Sequence, residues 1–583
     1  MSDPGSLPPL PPTHNGASST LDGDVPRPSR HLRAIAGGTV AVVVAVAVAG
    51  GLLAFRVFHG SADAFVSMVP SDTAVYVNVN FDPPGGQKLA VASLLNKFPG
   101  LGDQSRDATV NRWLDTAFSG SGLNHNDITP WLGSELSVAM PASALSSLTP
   151  SVGLGSSVSP PNVAVLIASK DNGKAQAALD KFRTGPVGGA GTWTTTTHDG
   201  VTVTSGTAHG SVGAYAITNN TVIFASSSSA VDAVIETAQG KRANLQSSSS
   251  YKMVESQLPA DRLGLAYVDV PALIRQFGSS LGSVTGGQAQ LIAAQAYNGF
   301  GVALVASSDG IALEGTQNYD ASKLTPEQRS LLGIAPHPNG SLGFVPSSAY
   351  GLLAFTGLQQ TLRSMLNTVA PAGSAIDMTL QQFGVTGSGG IISHLSGDAG
   401  IEVDQMPGQT VPAGALIFDT DSTTAAQSFL DNLMSSICRQ SSVCDLSQIV
   451  RQADQGVTIS SVPLSAAAGI GVEPSWAVSN GWAIIGSNPA EVRAALDSRA
   501  SGSTISRSPA YTAVTSHVAT SNNGMFYVDI PAVVSAIRKV LPPDVLASFD
   551  SSAGPFVNRL GAVELSTQNA SDHVTFSLFV LIR

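Results

Sequence analysis

Apolar and polar positions divide the chain into three regimes. From Ala34 to Phe55 the sequence carries no charge and is almost wholly Ala, Val, Gly, Leu and Ile. These 22 residues, at ~1.5 Å each, cover roughly 33 Å, which predicts a single transmembrane helix over 34–55. Ahead of it, residues 1–30 contain Leu7-Pro8-Pro9-Leu10-Pro11-Pro12 among Ser, Gly and Asp, a composition that predicts a disordered Pro-rich tail. After it, short apolar runs alternate with Asn- and Gly-rich turns and with amphipathic stretches of about ten residues. That third regime predicts an α+β fold of mainly antiparallel sheet with helices on one face.

Orientation follows from the flanking charge. Arg27, Arg30 and Arg33 precede the apolar run and only Arg56 follows it closely. A cytoplasmic N-terminus and an extracytoplasmic remainder are therefore expected, in a single-pass plasma-membrane protein whose first partner is the lipid bilayer at 34–55. Ala47-Val48-Ala49 resembles a signal-peptidase site, but the run continues through Leu52, Leu53 and Phe55, which favours a retained anchor. Ala41, Ala45 and Ala49 share one helix face, a spacing that Ala-rich segments produce by chance.

A long-range repeat organises the exported part. Gly264-Leu-Ala-Tyr-Val-Asp269-Val-Pro271-Ala272 is echoed by Gly524-Met-Phe-Tyr-Val-Asp529-Ile-Pro531-Ala532. In both, a strand runs directly into a helix, with Pro in the first turn and the acid as the expected cap. Ala216–Phe224 and Ala477–Ile485 both read as hairpins around polar turns, Asn219-Asn220 and Asn480-Gly481, and each leads into a helix. Val163–Ile167 with a helix near 175–182 corresponds to Ala415–Phe418 with a helix near 424–433, and strands from Gly301 and Gly561 close the two copies. Two duplicated lobes are expected, at 62–320 and 340–583, with a polar linker at 321–339.

Composition narrows the function classes. Charged residues are only 12% and the formal net charge is −11, so no cluster of Lys and Arg is available to displace phosphate counterions, and nucleic acid is excluded as a partner. Cys438 and Cys444 are the only cysteines. In an exported chain they predict a short local disulfide, since no further Cys or His lies nearby to complete a zinc site. With no Cys near the apolar run, the chain is not a lipoprotein.

Catalytic patterns are weak. The ten histidines are scattered without a pair at helical spacing. Gly278-Ser279-Ser280-Leu281-Gly282 fits the letters of a nucleophile elbow but follows a predicted helix, where an elbow needs a strand. Ser249-Ser250-Tyr251-Lys252 lacks the Lys-Thr-Gly that would accompany a penicillin-type nucleophile. No catalytic residue, cofactor or metal ligand is assigned, and the chain is not expected to be an enzyme.

The opening of the exported part reads Val69-Pro70-Ser71-Asp72-Thr73-Ala74-Val75-Tyr76-Val77-Asn78-Val79-Asn80-Phe81-Asp82-Pro83-Pro84-Gly85-Gly86-Gln87-Lys88, followed by Leu94-Leu95-Asn96-Lys97-Phe98-Pro99 and Trp131-Leu132-Gly133. In these stretches the chain resembles an uncharacterised family of actinobacterial membrane-anchored proteins, domain-of-unknown-function family three-three-five-two. The resemblance implies an anchored envelope protein and no activity. Its most specific part, Asp82, Gly85, Gly86, Gln87 and Lys88, is the candidate interaction loop. The second copy has Val345-Pro346-Ser347-Ser348-Ala349-Tyr350 and then diverges.

The resulting expectation is a non-catalytic binding or scaffolding protein of the cell envelope, with an envelope protein or a lipid as partner. A carrier of lipid or another apolar ligand is the alternative and predicts a large apolar site. An envelope hydrolase is the third reading and predicts a cleft lined by converging acids.

Overall fold

The computed structural model describes residues 63–583 apart from scattered stretches, the longest being 146–161, 277–293 and 464–471. The expected tail at 1–30 and membrane segment at 34–55 lie outside the described residues. Among the described residues, no helix is long and apolar enough to cross a membrane.

Among the described residues the fold is α+β, built on one antiparallel sheet of 20 strands. Its first half contains β1 (Thr73–Asn80), β2 (Leu132–Pro141), β3 (Ala164–Ser169), β4 (Thr192–His198), β5 (Val201–Ala208), β6 (Ser211–Thr218), β7 (Thr221–Ala225), β8 (Gly264–Asp269), β9 (Tyr297–Ser307) and β10 (Gly310–Tyr319). The second half contains β11 (Gly351–Phe355), β12 (Leu395–Asp404), β13 (Ala413–Thr420), β14 (Val450–Asp454), β15 (Val457–Ser461), β16 (Ser475–Ser479), β17 (Trp482–Gly486), β18 (Gly524–Asp529), β19 (Leu560–Asn569) and β20 (His573–Ile582). Strand pairing gives the first half the order β4-β5-β6-β7-β3-β2-β1-β8-β9-β10. The second half has the equivalent order β14-β15-β16-β17-β13-β12-β11-β18-β19-β20. The halves join edge to edge, β10 pairing with β20 from Gly310↔Leu581 to Asn318↔His573. Each half thereby covers an edge strand of the other, and among the described residues the edges left are β4 and β14.

The hairpins close as their turn residues dictate. Asn219 and Asn220 both have positive φ between β6 and β7, and Asn480 and Gly481 do the same between β16 and β17. A two-residue turn of type I′, whose twist matches that of its strands, needs that conformation at both positions.

Helices cover both faces, which corrects the expectation of helices on one face. On the first face lie α3 (Ser228–Ala238) and α4 (Ser249–Glu255), with α7 (Pro489–Ser501) and α8 (Pro509–Thr515) in the second half. On the other face lie α1 (Gly85–Leu95), α2 (Asn172–Thr184), α5 (Leu358–Val369) and α6 (Thr423–Gln440). Neighbouring residues of β3 show the division. Leu166 packs with Val231 and Ile235 of α3, while Val165 and Ile167 pack with Ala175 and Leu179 of α2. A strand apolar at every position, such as Val163–Ile167, must be covered twice.

The segment expected as a linker is folded. A helix at Pro326–Leu332 is capped by Thr325, and the carbonyls of Leu331 and Ile334 accept from Asn569 and Asn523 of the second half.

Candidate functional site

In the loop singled out in the sequence, Asp82 and Gln87 are buried, Lys88 is half-buried, and Gly85 and Gly86 are exposed. Asp82 is buried and receives Lys88 Nζ at 2.9 Å, a contact that holds the turn into α1. Gln87, also buried, donates from Nε2 to the Ala306 carbonyl at 3.1 Å, and the Ala306 amide donates to its Oε1 at 2.7 Å. Ala306 lies beyond the last residue of β9 that pairs with β8, so the Gln87 amide completes the ladder where the neighbouring strand has ended. A Cβ at Gly85 would meet nothing within 4 Å, and one at Gly86 would meet only Asp261 at 3.5 Å. Asp82, Gln87 and Lys88 have evident structural work in this geometry.

Cys438 and Cys444 form the expected disulfide, with Cα atoms 5.0 Å apart. It ties the last turn of α6 to the following segment, and Cys438 is buried against Leu430 and Met434. Asp269 and Asp529 cap as expected: the Ala272 amide donates to Asp269 at 2.9 Å and the Ala532 amide to Asp529 at 3.2 Å.

Buried acids form a second class that the sequence did not reveal. Glu135 on β2 accepts from the Ala64 amide at 3.1 Å and from Asn78 Nδ2 at 2.6 Å, beside Asp63, whose Oδ1 accepts from Tyr76 at 2.6 Å. Burial first, then the neighbouring Asp63 charge, pushes Glu135 up to about 8. The second half repeats the frame with different groups: Asp398 on β12 accepts from the Gly340 amide at 2.7 Å and from His337 at 2.8 Å. Glu402 and Glu491 lie against each other inside the second core, where burial and then Glu491 push Glu402 up to about 10. Burial alone pushes Glu564 up to about 8.

These acids do not line the clefts. One cleft, of about 550 Å³, lies between α2 and the β4–β6 strands and is lined by Asp180, Arg183, Tyr215 and several threonines. His198, Asp199 and Glu236 converge as three metal-ligand types would, but Lys241 already neutralises Asp199 at 2.6 Å and the group is partly exposed.

The most distinctive surface is apolar. On the face opposite α7 and α8, one register row crosses seven strands, from Leu304 through Leu313, Leu578, Leu565, Phe526 and Leu353 to Ile401, each residue directly opposite the next. Six steps of ~4.8 Å make the row roughly 29 Å long. Leu313 is 36% exposed, Leu353 42%, Phe526 43% and Ile401 43%, and the other three are half-buried. Val563, Val580 and Ile311 follow one another across β19, β20 and β10 on one side, where Ile311 packs against Ala90 and Leu94 of α1. On the other, Phe576 stacks on Phe300 with centroids 6.0 Å apart. Gly315 lies between those two rings, where any Cβ would collide with the Phe576 ring. The exposed face of an antiparallel sheet is ordinarily polar, and this row departs from that rule over seven strands. The sequence signal was the unbroken run Leu578–Ile582 in β20, in which Phe579, Leu581 and Ile582 are buried and Leu578 and Val580 are only partly covered.

A second cleft, of about 650 Å³, gathers Arg538, Lys539 and Arg583 around Pro531 and Val534. It lies where β18 passes into α9 (Ile530–Arg538) and where β20 ends. Arg538 pairs with Asp550, and Lys539 donates to Gln405 Oε1 at 3.2 Å.

No curated protein matches the chain. Among solved structures, crystal form IV of TP0453 superposes with a TM-score of 0.23 at 10% identity, covering 44% of this chain and 81% of that one. Crystal form I gives 0.22 at 11% identity, covering 48% and 90%. Superpositions this loose carry no argument. A family model matches nearly the full length, and the chain belongs to the DUF3352 family of proteins of unknown function, matched over residues 35–581.

Proposed function

We propose that the protein is a non-catalytic binding protein of the cell envelope, anchored by residues 34–55, that holds an apolar partner on the apolar strip of its central sheet that the described helices leave open. The observation that carries this reading is the seven-strand row from Leu304 to Ile401, with four of its side chains at least 36% exposed. Seven large apolar residues aligned in register on a solvent face cost solubility unless something covers them. The strand order repeated in the two halves supports a duplicated architecture whose shared centre is this surface.

The reading is tested by photo-crosslinking in intact cells. The full-length chain carries a diazirine amino acid at Leu353 or at Leu578, or at exposed Ser501 on α7 as a control for the opposite face. Adducts at the first two positions and none at Ser501 are expected. Unmodified protein at both row positions would sink the proposal.

A further inference from the structure

We infer that the cleft between α2 and the β4–β6 strands is a binding site for a neutral glycan, held by Asp180, Arg183 and the threonines of β4 and β5. The site lies apart from the apolar row and stands or falls independently of the reading above.

The duplication singles this cleft out. In the first half Thr195, Thr204 and Tyr215 are directly opposite one another on β4, β5 and β6. The equivalent row of the second half is Arg451, Ser460 and Trp476. Equivalence follows from the next strands, where Tyr215 pairs with Phe224 and Trp476 with Ile485. The helices above correspond as well. Gln176 donates to Asp180 Oδ1 at 3.2 Å on α2, and Gln427 donates to Asp431 Oδ1 at 3.0 Å on α6. In the second half the Trp476 indole N–H donates to the same Asp431 oxygen at 2.9 Å, and Trp476 is 1% exposed. Met434, the counterpart of Arg183, is buried in the same cluster. A large ring and a thioether therefore pack where the first half has Tyr215 and Arg183 lining a cleft of about 550 Å³.

The first half also keeps polar groups that its own side chains do not satisfy. Asp180 receives Gln176 and, at 3.1 Å, Arg183 Nη2 on Oδ1, which leaves its Oδ2 without a partner among the described residues. Tyr215 is 4% exposed and its hydroxyl has no hydrogen-bond partner in good geometry. Burial raises that phenol, Thr204 and then Arg183 oppose the rise, and Asp180 adds to it, so the hydroxyl lies close to the charged pair of the cleft. A buried hydroxyl left in this state is destabilising, and a ligand hydroxyl relieves it.

The lining sets the ligand class. Thr195, Thr202 and Thr204 supply hydroxyls, and the one acid and one base that line the cleft are paired with each other, so its wall is polar without net charge. An apolar ligand would strand those groups, and a charged one would find no counter-charge free of its pair. A sugar ring fits, because each of its hydroxyls both donates and accepts while its C–H face packs on Ile217 and the threonine methyls. The volume lies within the ~300–1,000 Å³ of small-molecule sites.

Saturation-transfer NMR of the full-length protein in nanodiscs tests the assignment, with maltose, cellobiose, chitobiose and mannobiose as probes. Transfer to the ring protons of at least one of them is expected. Tyr215→Trp with Arg183→Met, which installs the residues of the second half, should abolish it. Asp180→Ala should weaken binding roughly tenfold, the effect of one hydrogen bond to a charged group. Thr195→Val, on the exposed edge strand, should lower affinity in the same direction without disturbing the core. Absence of transfer to all four sugars overturns the glycan assignment. Transfer that persists undiminished in these variants overturns its location. Transfer to tetra-alanine and to none of the sugars would overturn it in favour of strand addition at the β4 edge.

Discussion

Glu314 on β10 and Ser577 on β20 occupy equivalent positions in the two halves and face each other across the seam that joins them. Each is directly opposite the other in the β10–β20 register, and Ser577 Oγ donates to Glu314 Oε1 at 2.7 Å. The equivalence follows from the flanking strands, since Glu314 is paired with Ala303 of β9 and Ser577 with Ser566 of β19. An approximate two-fold axis therefore passes between these two residues and relates the halves of the sheet. The axis is broken chemically at its centre, where one copy supplies an acid and the other its donor. Burial raises the Glu314 carboxyl above its usual range, and the Ser577 hydroxyl opposes that shift.

Ser577→Ala should remove that donor and leave the half-buried Glu314 unpaired at the seam. A loss of about 1–2 kcal/mol is expected in denaturant unfolding of the full-length protein. An additional Glu314→Ala should recover part of it, because no unpaired carboxylate then remains. Equal losses in the single and double variants would count against the pairing.

Stability should fall as pH rises from about 5 to 9. Unfolded carboxyls release their protons near 4.5, whereas Glu135 and Glu564 hold theirs to about 8 and Glu402 to about 10. Between those limits the folded state binds more protons than the unfolded state, so the stability present below 4.5 is progressively lost on the way up. Thermal melts across this range check the sign.

Glu402→Leu combined with Glu491→Leu should flatten that dependence and stabilise the protein at pH 8 by about 1–4 kcal/mol. The first half carries Ala139 and Ala230 at the equivalent strand and helix positions, so the architecture tolerates apolar groups there. Comparison of unfolding midpoints at pH 5 and pH 8 separates the titration from a general packing gain.

Gln87→Leu should cost about 2 kcal/mol, because the Ala306 amide and carbonyl both lose a buried partner. Crosslinking at Leu353 should be unchanged by it. A variant of full stability with lost crosslinking would return the Asp82–Lys88 loop to the role of an interaction site.

Reducing the Cys438–Cys444 bond should lower stability by about 2 kcal/mol or less, since the closed loop is short. Hydrogen exchange should report the effect in the last turn of α6 and leave β10 and β20 unaffected.

Local chemistry was legible in the sequence because it depends on near neighbours. The Asn219-Asn220 and Asn480-Gly481 turns, the Asp269 and Asp529 caps and the disulfide each need only a few adjacent residues, and each was read from spacing and side-chain type. The repeated order of strands and helices was readable for the same reason, copy against copy. What covers a strand is a different kind of fact. Leu166 and Leu578 sit in similar apolar runs, yet one is buried under α3 and the other lies half-open on the sheet. Periodicity distinguishes alternating from continuous runs, but a continuous run says only that both faces are apolar. The seam of β10 against β20, the helices on both faces, the burial of Gln87 against Ala306 and the meeting of Glu402 with Glu491 join residues from 89 to more than 200 positions apart. No local pattern encodes such pairings, because they are set by which edges and faces remain to be covered once the whole sheet has assembled.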